Sequence, residues 1–546
     1  MLSLVDCGYT AATNSAVAEE ALRFDIRHVV VIFQENVSFD HYFATYPNAL
    51  NPSGEAPFTA LHGTPAVDGL SPDLLTDNPN ASNRGNGAGA TNPFRLSPAD
   101  AATADQDHQY KAEQMAFDAG AMDLFPRSVG AADGPDLGKG ILATTGLTMG
   151  YYDGNTVTAI WNYAQHYAMS DRFFGTTFGP STIGAINLIS GQTNGVVDDA
   201  SAHGSIVLDG YGGRTLFANA DPIEEICAAT NGAEVHMAGR NIGDLLNAAR
   251  VTWGFFAGGF DTTATNSNGT TGCRRSHKST VTEMTSLDYI PYTDPFQYYA
   301  STANTTHARP TSVQSIGGSS DGITHHQYDL QDFFNAVAAG NFPTVSFLKA
   351  EAYRDGHAGF SDPLDEQAFL VSTINVIEQT PEWKNTVIIL TYDDSDGWYD
   401  HVNHVLNGSA TTEDVFSSSG KCGDGTTALP GVNSATLHAQ GRCGYGPRLP
   451  ILVISPWAKP NYVSHTVTDQ SSILRFIEDQ FLGQQRIGQG SYDAIAGSLD
   501  DMLDFSQSTP QNGAVVLLND ITGQVTASQS RDLFVRTSRY KSQGVW

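Results

Sequence analysis

Thr391-Tyr392-Asp393-Asp394-Ser395-Asp396-Gly397-Trp398-Tyr399-Asp400-His401 directly follows the apolar run Val387-Ile388-Ile389-Leu390. A short β-branched run that ends in a polar, glycine-containing turn is typical of a buried strand followed by a loop. Asp393 and Asp394 therefore lie at the carboxyl end of a predicted strand. In an open parallel sheet, that edge is where ligands bind.

A second segment, near the beginning of the chain, has the same order of residue types. The run His28-Val29-Val30-Val31-Ile32-Phe33 predicts a strand, and Gln34, Glu35 and Asn36 follow it. Asp393-Asp394 alone is equally well explained by solvated turn residues, and Glu35-Asn36 alone is a weaker signal for a site. Their joint occurrence at two strand ends favours a hard-cation site suited to phosphate chemistry. Spacing alone does not show that the two strands are neighbours.

The composition limits the classes of partner. The chain has 546 residues and a formal net charge of −30, which argues against bulk electrostatic binding of nucleic acid or anionic membrane. For a phosphate-ester substrate, the field of the protein opposes the approach of the ligand. A local divalent cation is then nearly obligatory.

The chain is predicted to be secreted or periplasmic. Low lysine content, glycine-rich loops and five cysteines favour export, and no apolar stretch is long enough for a transmembrane segment. The expected disulfide pairs are Cys422–Cys443 and Cys227–Cys273, and the alternative is that all cysteines are reduced. Residues 1–25 are expected to be a leader, and one interpretation of Met1–Cys7 is the tail of a truncated signal sequence.

Strand and helix patterns alternate over much of the chain, which predicts an α/β fold with a mostly parallel sheet and helices on both faces. The predicted catalytic domain spans residues 26–505. It carries an irregular cap insertion around residues 200–325, and a C-terminal appendage at 506–546 holds short β-like pieces such as 514–518. The predicted elements are helices 107–125, 157–169, 179–191, 329–339, 364–379 and 469–481, and strands 343–348, 386–392 and 449–455.

Ser181 is the candidate nucleophile. It follows Gly179-Pro180 at a predicted helix N-terminus, where free backbone N–H groups and the helix dipole favour a phosphoryl group. A metal-coordinated hydroxyl also loses its proton more readily. Two alternatives remain at this point: Ser181 is only a helix N-cap, or Thr182 is the nucleophile.

His108 and His357 are the candidate catalytic histidines. Both lie in polar loops beside predicted elements, and a protonated imidazole can bind phosphate oxygens or protonate a leaving alkoxide. An isolated loop histidine is more often an ordinary surface residue.

Taken together, these segments resemble the bacterial phosphoesterase family of non-haemolytic phospholipases C and acid phosphatase A. The resemblance covers most of residues 25–480, in order and with similar spacing. It implies an alkaline-phosphatase-like fold. The matching segments are Arg27–Val31, Glu35–Phe43, Asp107–Gln114, Gly120–Asp123, Pro295–Ala300, Phe342–Phe347, Asp393–His401, Arg448–Pro450 and Ile454–Trp457.

The same resemblance implies roles for individual residues. The family's metal ligands fall on Glu35, Asn36, Ser181, Asp393 and Asp394. The nucleophile also falls on Ser181, and the two candidate histidines line the site. The ion is unspecified, since Mg²⁺, Ca²⁺ and Mn²⁺ fit the oxygen ligands and Zn²⁺ is a further candidate.

Two departures from the family pattern bear on the substrate. Phospholipase C members typically have Thr followed by Pro-Asn-Arg at the nucleophile, whereas this chain has Ser181 followed by Thr182, which resembles the acid phosphatase branch. Loss of the Arg removes a bidentate phosphate clamp. The family also often has a His pair before Pro-Phe-Gln-Tyr, where this chain has Tyr292-Thr293-Asp294.

The sequence therefore predicts a metal-dependent acid phosphatase that acts on phosphate esters through a phosphoserine intermediate. One alternative is a phospholipase C acting on phosphodiester lipids. A second alternative, from another class, is a catalytically inactive surface binding protein that keeps the fold.

Overall fold

A computed structural model describes most of the chain. It covers residues 26–133, 140–198, 204–208, 213–229, 232–406, 410–423, 442–506 and 515–529. The predicted leader, residues 1–25, lies outside these ranges.

Within the described residues, eight strands form a central sheet. In chain order they are β1 (His28–Gln34), β2 (Ala168–Ser170), β3 (Trp253–Ala257), β4 (Gln327–Asp329), β5 (Val345–Lys349), β6 (Thr386–Tyr392), β7 (Ile451–Ile454) and β8 (Tyr462–Ser464). Their order across the sheet is β4-β3-β5-β1-β6-β7-β2-β8. Strand β7 runs antiparallel to both neighbours, and the other neighbouring pairs are parallel. The predicted mostly parallel α/β sheet is confirmed.

Six of the seven longer helices of the described residues begin within three residues of a predicted start, and the exception, Ile242–Ala249, was not predicted. The seven helices are α1 (Tyr110–Phe117), α2 (Thr158–His166), α3 (Ser181–Ser190), α4 (Ile242–Ala249), α5 (Leu330–Ala338), α6 (Pro363–Glu378) and α7 (Gln470–Phe481). The start of α6 shows why a helix begins at this point. The Asp362 carboxylate caps it by accepting hydrogen bonds from the Leu364 and Asp365 amides at 2.9 and 3.0 Å. Pro363 occupies the first helical turn, where a missing N–H costs nothing.

Both faces of the central sheet are covered. Every residue of β6 is buried, as are Val29–Phe33 of β1, and successive side chains of a strand point to opposite faces. Helix α3 packs against α7 and α4, whereas α2 packs against α6. The centre of the sheet is thus dry, and its strand ends deliver polar side chains to the edge of this apolar layer.

The expected cap insertion requires a correction. Residues 200–325 contain β3, a core strand of the sheet, together with α4. The run Trp253–Ala257 is short and aromatic, so neither helical nor alternating periodicity marks it as a strand. The rest of this segment does form small strand pairs, such as Ser276–Lys278 with Thr285–Leu287.

The β-like pieces predicted after residue 505 are present as a hairpin. Val515–Leu518 pairs with Val525–Gln529 and packs on α6. The Glu378 carboxylate accepts a hydrogen bond from the Val516 amide at 2.8 Å, and the Asn375 side chain bonds both backbone groups of Leu518. These bonds dock the hairpin onto the catalytic fold.

Both expected disulfides are present, Cys227–Cys273 and Cys422–Cys443, which confirms the predicted pairing. The Cys227–Cys273 bridge closes a segment that contains α4 and β3, so it cross-links a part of the chain that also contributes to the central sheet. Among the described residues, no helix is both long and apolar enough to cross a bilayer.

The buried Glu378 carboxyl makes stability depend on pH. Burial raises its pKa to about 8, from the ordinary value of 4.5. The folded state therefore binds this proton more tightly than the unfolded state. The stabilisation is fully present below about pH 4.5 and is lost as the pH rises through about 8.

We expect the free energy of unfolding to fall between pH 5 and pH 8, with a contribution from this group on the order of several kcal/mol. Glu378→Gln keeps the hydrogen bonds of the protonated acid and should flatten the curve. Urea titrations at several pH values measure it, with Glu224→Gln at an exposed position as the control. Parallel curves for wild type and Glu378→Gln would contradict the assignment.

Candidate metal and nucleophile site

The two acidic strand ends are neighbours in space. Strands β1 and β6 are parallel and in register, so that Gln34 pairs with Tyr392. The next residues, Glu35-Asn36 and Asp393-Asp394, therefore lie at one edge of the sheet. The backbone joins them further, because the Asp393 amide donates to the Gln34 carbonyl at 3.1 Å. The structure thus brings together the four side chains that the sequence predicts to form a cation site.

Oxygen atoms crowd together at this edge. The Asn36 Oδ1 position lies 2.8 Å from Asp393 Oδ1 and 2.9 Å from Glu35 Oε2, and Ser181 Oγ lies 3.5 Å from Asn36 Oδ1. All four side chains are buried. Oxygens of this kind cannot hydrogen-bond one another without protons, so such a cluster needs either a donor group or a cation among them.

The Asn36 amide has two orientations that satisfy different partners. Rotating it would let its NH₂ donate to Glu35 and Asp393 and its oxygen accept from His357. In the unrotated form the NH₂ lies 3.4 Å from His108 Nε2 and at 3.1 Å from His357 Nε2. The Nδ1 atom of each ring bonds a backbone carbonyl, of Gln106 and Ala358 respectively, so Nε2 accepts when the ring is neutral and donates when it is protonated. This orientation is self-consistent when a cation faces the oxygens.

Three further carboxylate oxygens support a cation here. Oδ2 of Asp393, Asp394 and Asp396 is buried and has no hydrogen-bond partner. An unpaired buried acceptor costs about 1–3 kcal/mol, and more when it is charged. Carboxylate, amide and hydroxyl oxygens are the ligands of hard divalent cations. The residues present therefore fit a divalent cation held by Glu35, Asn36, Ser181, Asp393 and Asp394.

The carboxyl groups differ in how their charge is compensated. Burial raises the pKa of Asp393 well above its usual range, and the nearby charges of Glu35 and Asp394 raise it further. Burial would also raise the pKa of Glu35, but the Lys349 ammonium and His357 outweigh it, so that this pKa is lowered. Negative charge is thus concentrated on Glu35, beside a site that can bind a cation.

Lys349 is a site residue that the sequence analysis missed. It ends β5, the neighbour of β1, and its ammonium forms an ion pair with Glu35 Oε1 inside the protein. Strand 343–348 was predicted, and a polar residue directly after it is the same signal that selected Glu35 after β1.

Ser181 lies at the predicted position relative to this cluster. It is the first residue of α3 and only 1% exposed. The N-cap residue is Pro180, so Ser181 does not serve as the N-cap. Thr182 is engaged elsewhere, since its hydroxyl donates to the Tyr292 carbonyl at 3.2 Å. Of the two hydroxyls, Ser181 is the one placed against the oxygen cluster.

Glu113 joins the nucleophile segment to the acidic loop, and it was also missed. Its carboxylate accepts from the Gly179 amide at 2.9 Å and from the Ser395 hydroxyl at 2.7 Å. Burial and the charge of Asp394 raise its pKa to about 8. The sequence signal was its spacing, three residues after Tyr110 and four before Phe117, which places it on the buried face of α1.

His108 and His357 face each other at this site, with ring centroids 6.0 Å apart. His108 Nδ1 lies 3.3 Å from Asp396 Oδ1, and the carboxylates of Asp394 and Asp396 raise the pKa of His108 well above its usual range although burial lowers it. His357 stacks on Phe360 at 4.4 Å. Both predicted histidines thus lie next to the NH₂ group of Asn36, whereas Ser181 lies next to its Oδ1 atom.

Gly184 permits the close approach of α3 to the strand end. A Cβ atom at this position would lie 2.0 Å from the Asp393 carbonyl oxygen, far inside van der Waals contact. The helix can carry Ser181 up to Asp393 only because residue 184 has no side chain. This is a physical reason for glycine at position 184, three residues after Ser181.

The family model described as "Phosphoesterase family" matches residues 26–482. That range includes the eight strands of the central sheet and each site residue described above. The chain therefore belongs to the phosphoesterase family, and the resemblance seen in its motifs is confirmed.

Curated relatives are phospholipases C by name. A non-hemolytic phospholipase C from Pseudomonas aeruginosa is 24% identical over 470 residues, covering 84% of this chain and 54% of the relative. Phospholipase C A from Mycobacterium tuberculosis is 23% identical over 502 residues, covering 89% of this chain and 78% of the relative. The chain thus spans about half the length of the Pseudomonas protein.

Among solved structures, a protein in the alkaline phosphatase superfamily from Vibrio parahaemolyticus is similar at 11% identity and a TM-score of 0.27, over 60% of this chain and 61% of that chain. At that score the superposition carries no argument about this chain. The fold class rests on the strand order and directions of its own sheet.

The close approach at Gly184 leads to a prediction. Gly184→Ala should move the N-terminus of α3 away from Asp393 and reduce turnover by about 100-fold or more, since small misplacements of a reacting group are costly. Gly204→Ala, where a Cβ meets nothing within 4 Å, is the matched control. Steady-state kinetics on both variants, after circular dichroism confirms folding, measure the effect. Equal activity of the two variants would contradict this account of Gly184.

Proposed function

We propose that this chain is a divalent-cation-dependent phosphoric ester hydrolase, and specifically a phosphomonoesterase of the acid phosphatase type. One observation carries the proposal: the Ser181 hydroxyl lies within 3.5 Å of Asn36 in a buried cluster of unpaired carboxylate oxygens at the N-terminus of α3. Family membership agrees with an ester of phosphoric acid as the substrate.

A divalent cation bound by these oxygens supplies a Lewis acid that favours the ionised serine hydroxyl and offsets charge on the phosphoryl group. The residues of the chain do the rest. Ser181 Oγ attacks phosphorus, the bond from phosphorus to the leaving oxygen breaks, and the chain carries a phosphoserine. A water oxygen then attacks phosphorus, the bond to Ser181 Oγ breaks, and inorganic phosphate leaves.

The surroundings of Ser181 provide positioning and proton transfer. The positive end of the α3 dipole favours a phosphoryl group at Ser181, whereas the Thr182 amide donates to Asn219 Oδ1 at 3.1 Å and the Ile183 amide to the Pro180 carbonyl at 2.8 Å. His108 and His357 are the groups that hold phosphoryl oxygens or donate a proton to the leaving oxygen. Glu113 fixes the backbone of Gly179 and so holds the segment before the nucleophile in place.

A phospholipase C activity on phosphodiester lipids is the second candidate, favoured by the names of the relatives. The phosphomonoesterase assignment is supported by the residues at the nucleophile. Phospholipases C typically have Thr-Pro-Asn-Arg there, whereas this chain has Ser181-Thr182 and lacks the arginine that would clamp the phosphate. Rates on p-nitrophenyl phosphate and on p-nitrophenyl phosphorylcholine separate the two. The inactive binding protein is disfavoured because the nucleophile and the oxygen cluster are both intact.

Export is part of the proposal. The two disulfides, Cys227–Cys273 and Cys422–Cys443, are expected in an oxidising compartment, which favours a secreted or periplasmic protein.

The nucleophile can be tested by comparing two adjacent hydroxyls. Ser181→Ala should lower turnover by at least about 10³-fold, because it removes the covalent route. Thr182→Ala loses a hydrogen bond to a carbonyl, worth about 1 kcal/mol, and should cost less than about tenfold. A burst of phosphoserine on Ser181, detected by mass spectrometry after an acid quench, would be direct support. An inactive Thr182→Ala beside an active Ser181→Ala would reassign the nucleophile.

The metal ligands can be tested by isosteric changes. Glu35→Gln and Asp393→Asn each remove a charged ligand and should weaken cation binding by more than about 100-fold, since loss of even a supporting residue can cost that much. Glu378→Gln, a buried carboxyl bonded to Tyr167 and Val516, is the control and should bind the cation normally. Elemental analysis after dialysis measures the bound metal, and a titration with Mn²⁺ measures the affinity for the cation. Unchanged metal content in both ligand variants would refute the assignment.

A further inference from the structure

Lys349 places a positive charge behind the proposed cation site. Its side chain is 5% exposed and that of its partner Glu35 is 2% exposed, so the ion pair is shielded from solvent. Strand pairing explains the contact between Lys349 and Glu35, because Leu348 of β5 pairs with Ile32 of β1 and the two segments run in parallel there. The ammonium also lies 5.3 Å from the centre of the Phe33 ring.

The ion pair occupies only one side of Glu35. Lys349 contacts Oε1, whereas Oε2 lies 2.9 Å from the Asn36 amide oxygen position, on the side of the oxygen cluster. One carboxylate thus joins the ammonium to the proposed ligands. The ammonium contacts Glu35 Oε1 and the Phe33 ring, and we expect its effect on a substrate to be exerted by its charge.

The charges of this group can be counted. The proposed ligands include three carboxylates, Glu35, Asp393 and Asp394. One divalent cation would leave these three with a single net negative charge, which Lys349 offsets. Asp355 and Asp396 are further buried acids beside the group, so Lys349 reduces its negative charge without any excess of positive charge. In a chain with a formal net charge of −30, a buried positive charge close to the site lowers the electrostatic cost of binding an anion there.

We propose that Lys349 is a specificity-determining residue that favours dianionic phosphate monoesters over monoanionic diesters. The inference rests on the proposed function. Coulombic energy is proportional to the charge of the ligand, so loss of one buried positive charge penalises a dianion twice as much as a monoanion. Removing the Lys349 charge should therefore lower the ratio of monoesterase to diesterase activity, and not only reduce both activities.

The test uses two substrates with the same leaving group, p-nitrophenyl phosphate and p-nitrophenyl methyl phosphate, at saturating Mn²⁺ and at pH 7.5, where the monoester is a dianion. Lys349→Gln keeps a hydrogen-bond donor for Glu35 and loses the charge. Lys349→Met loses both, and Lys349→Arg keeps the charge. The measured quantity is the ratio of kcat/KM for the monoester to kcat/KM for the diester.

We expect the ratio to fall at least tenfold in Lys349→Gln and Lys349→Met and to stay within threefold of wild type in Lys349→Arg. Lys459→Met, which removes a lysine that bonds the Asp501 carbonyl, is the control and should not alter it. A residue that only stabilises the fold would lower both activities and leave the ratio unchanged.

A ratio within threefold of wild type in folded Lys349→Gln would overturn the proposal. Failure of both neutral variants to fold would assign Lys349 a purely structural role and would overturn it as well. The proposed function fails separately, if wild-type protein with Mn²⁺ hydrolyses neither ester.

Discussion

The burial of several carboxylates at the ends of two adjacent parallel strands is the constraint on which the rest of this structure depends. Strand pairing between β1 and β6 forces Glu35 and Asp393 together, whatever their charges. Backbone amides relieve part of the cost: the Asp394 amide donates to Asp393 Oδ1 at 2.8 Å, and the Asp396 amide to Asp394 Oδ1 at 2.7 Å. Lys349 offsets part of the remaining charge on one side, and the proposed cation would offset more of it on the other.

Much of the fold could be predicted because the strands of a buried parallel sheet are continuous apolar runs. Both acidic strand ends could be predicted for that reason, since polar residues that directly follow such a run lie at the carboxyl edge of the sheet. Strand β3 was not visible, because Trp253–Ala257 is as short as a turn and is surrounded by Thr, Asn and Gly. Its place in the sheet is decided by tertiary packing against β5.

The site could be predicted in part. The oxygen ligands and the serine follow from local rules about strand ends and helix starts, and the structure brings them together. Lys349 and Glu113 act through contacts between elements far apart in sequence, which periodicity does not report. Glu113 had a signal, a charge on a buried helix face, but its partners Gly179 and Ser395 come from two other segments.

The Asn36 side chain connects the two halves of the site. Its oxygen faces the carboxylates of Glu35 and Asp393, and its NH₂ group faces Nε2 of both His108 and His357. An amide cannot present its oxygen to both sides at once. A cation among the oxygens therefore favours the orientation in which the NH₂ donates to neutral imidazoles, whereas protonated imidazoles favour the rotated one. The charge state of the histidines and the occupancy of the oxygen cluster are thereby linked through one planar group. This is a reason for an amide, and not a fourth carboxylate, to follow Glu35 at the end of β1.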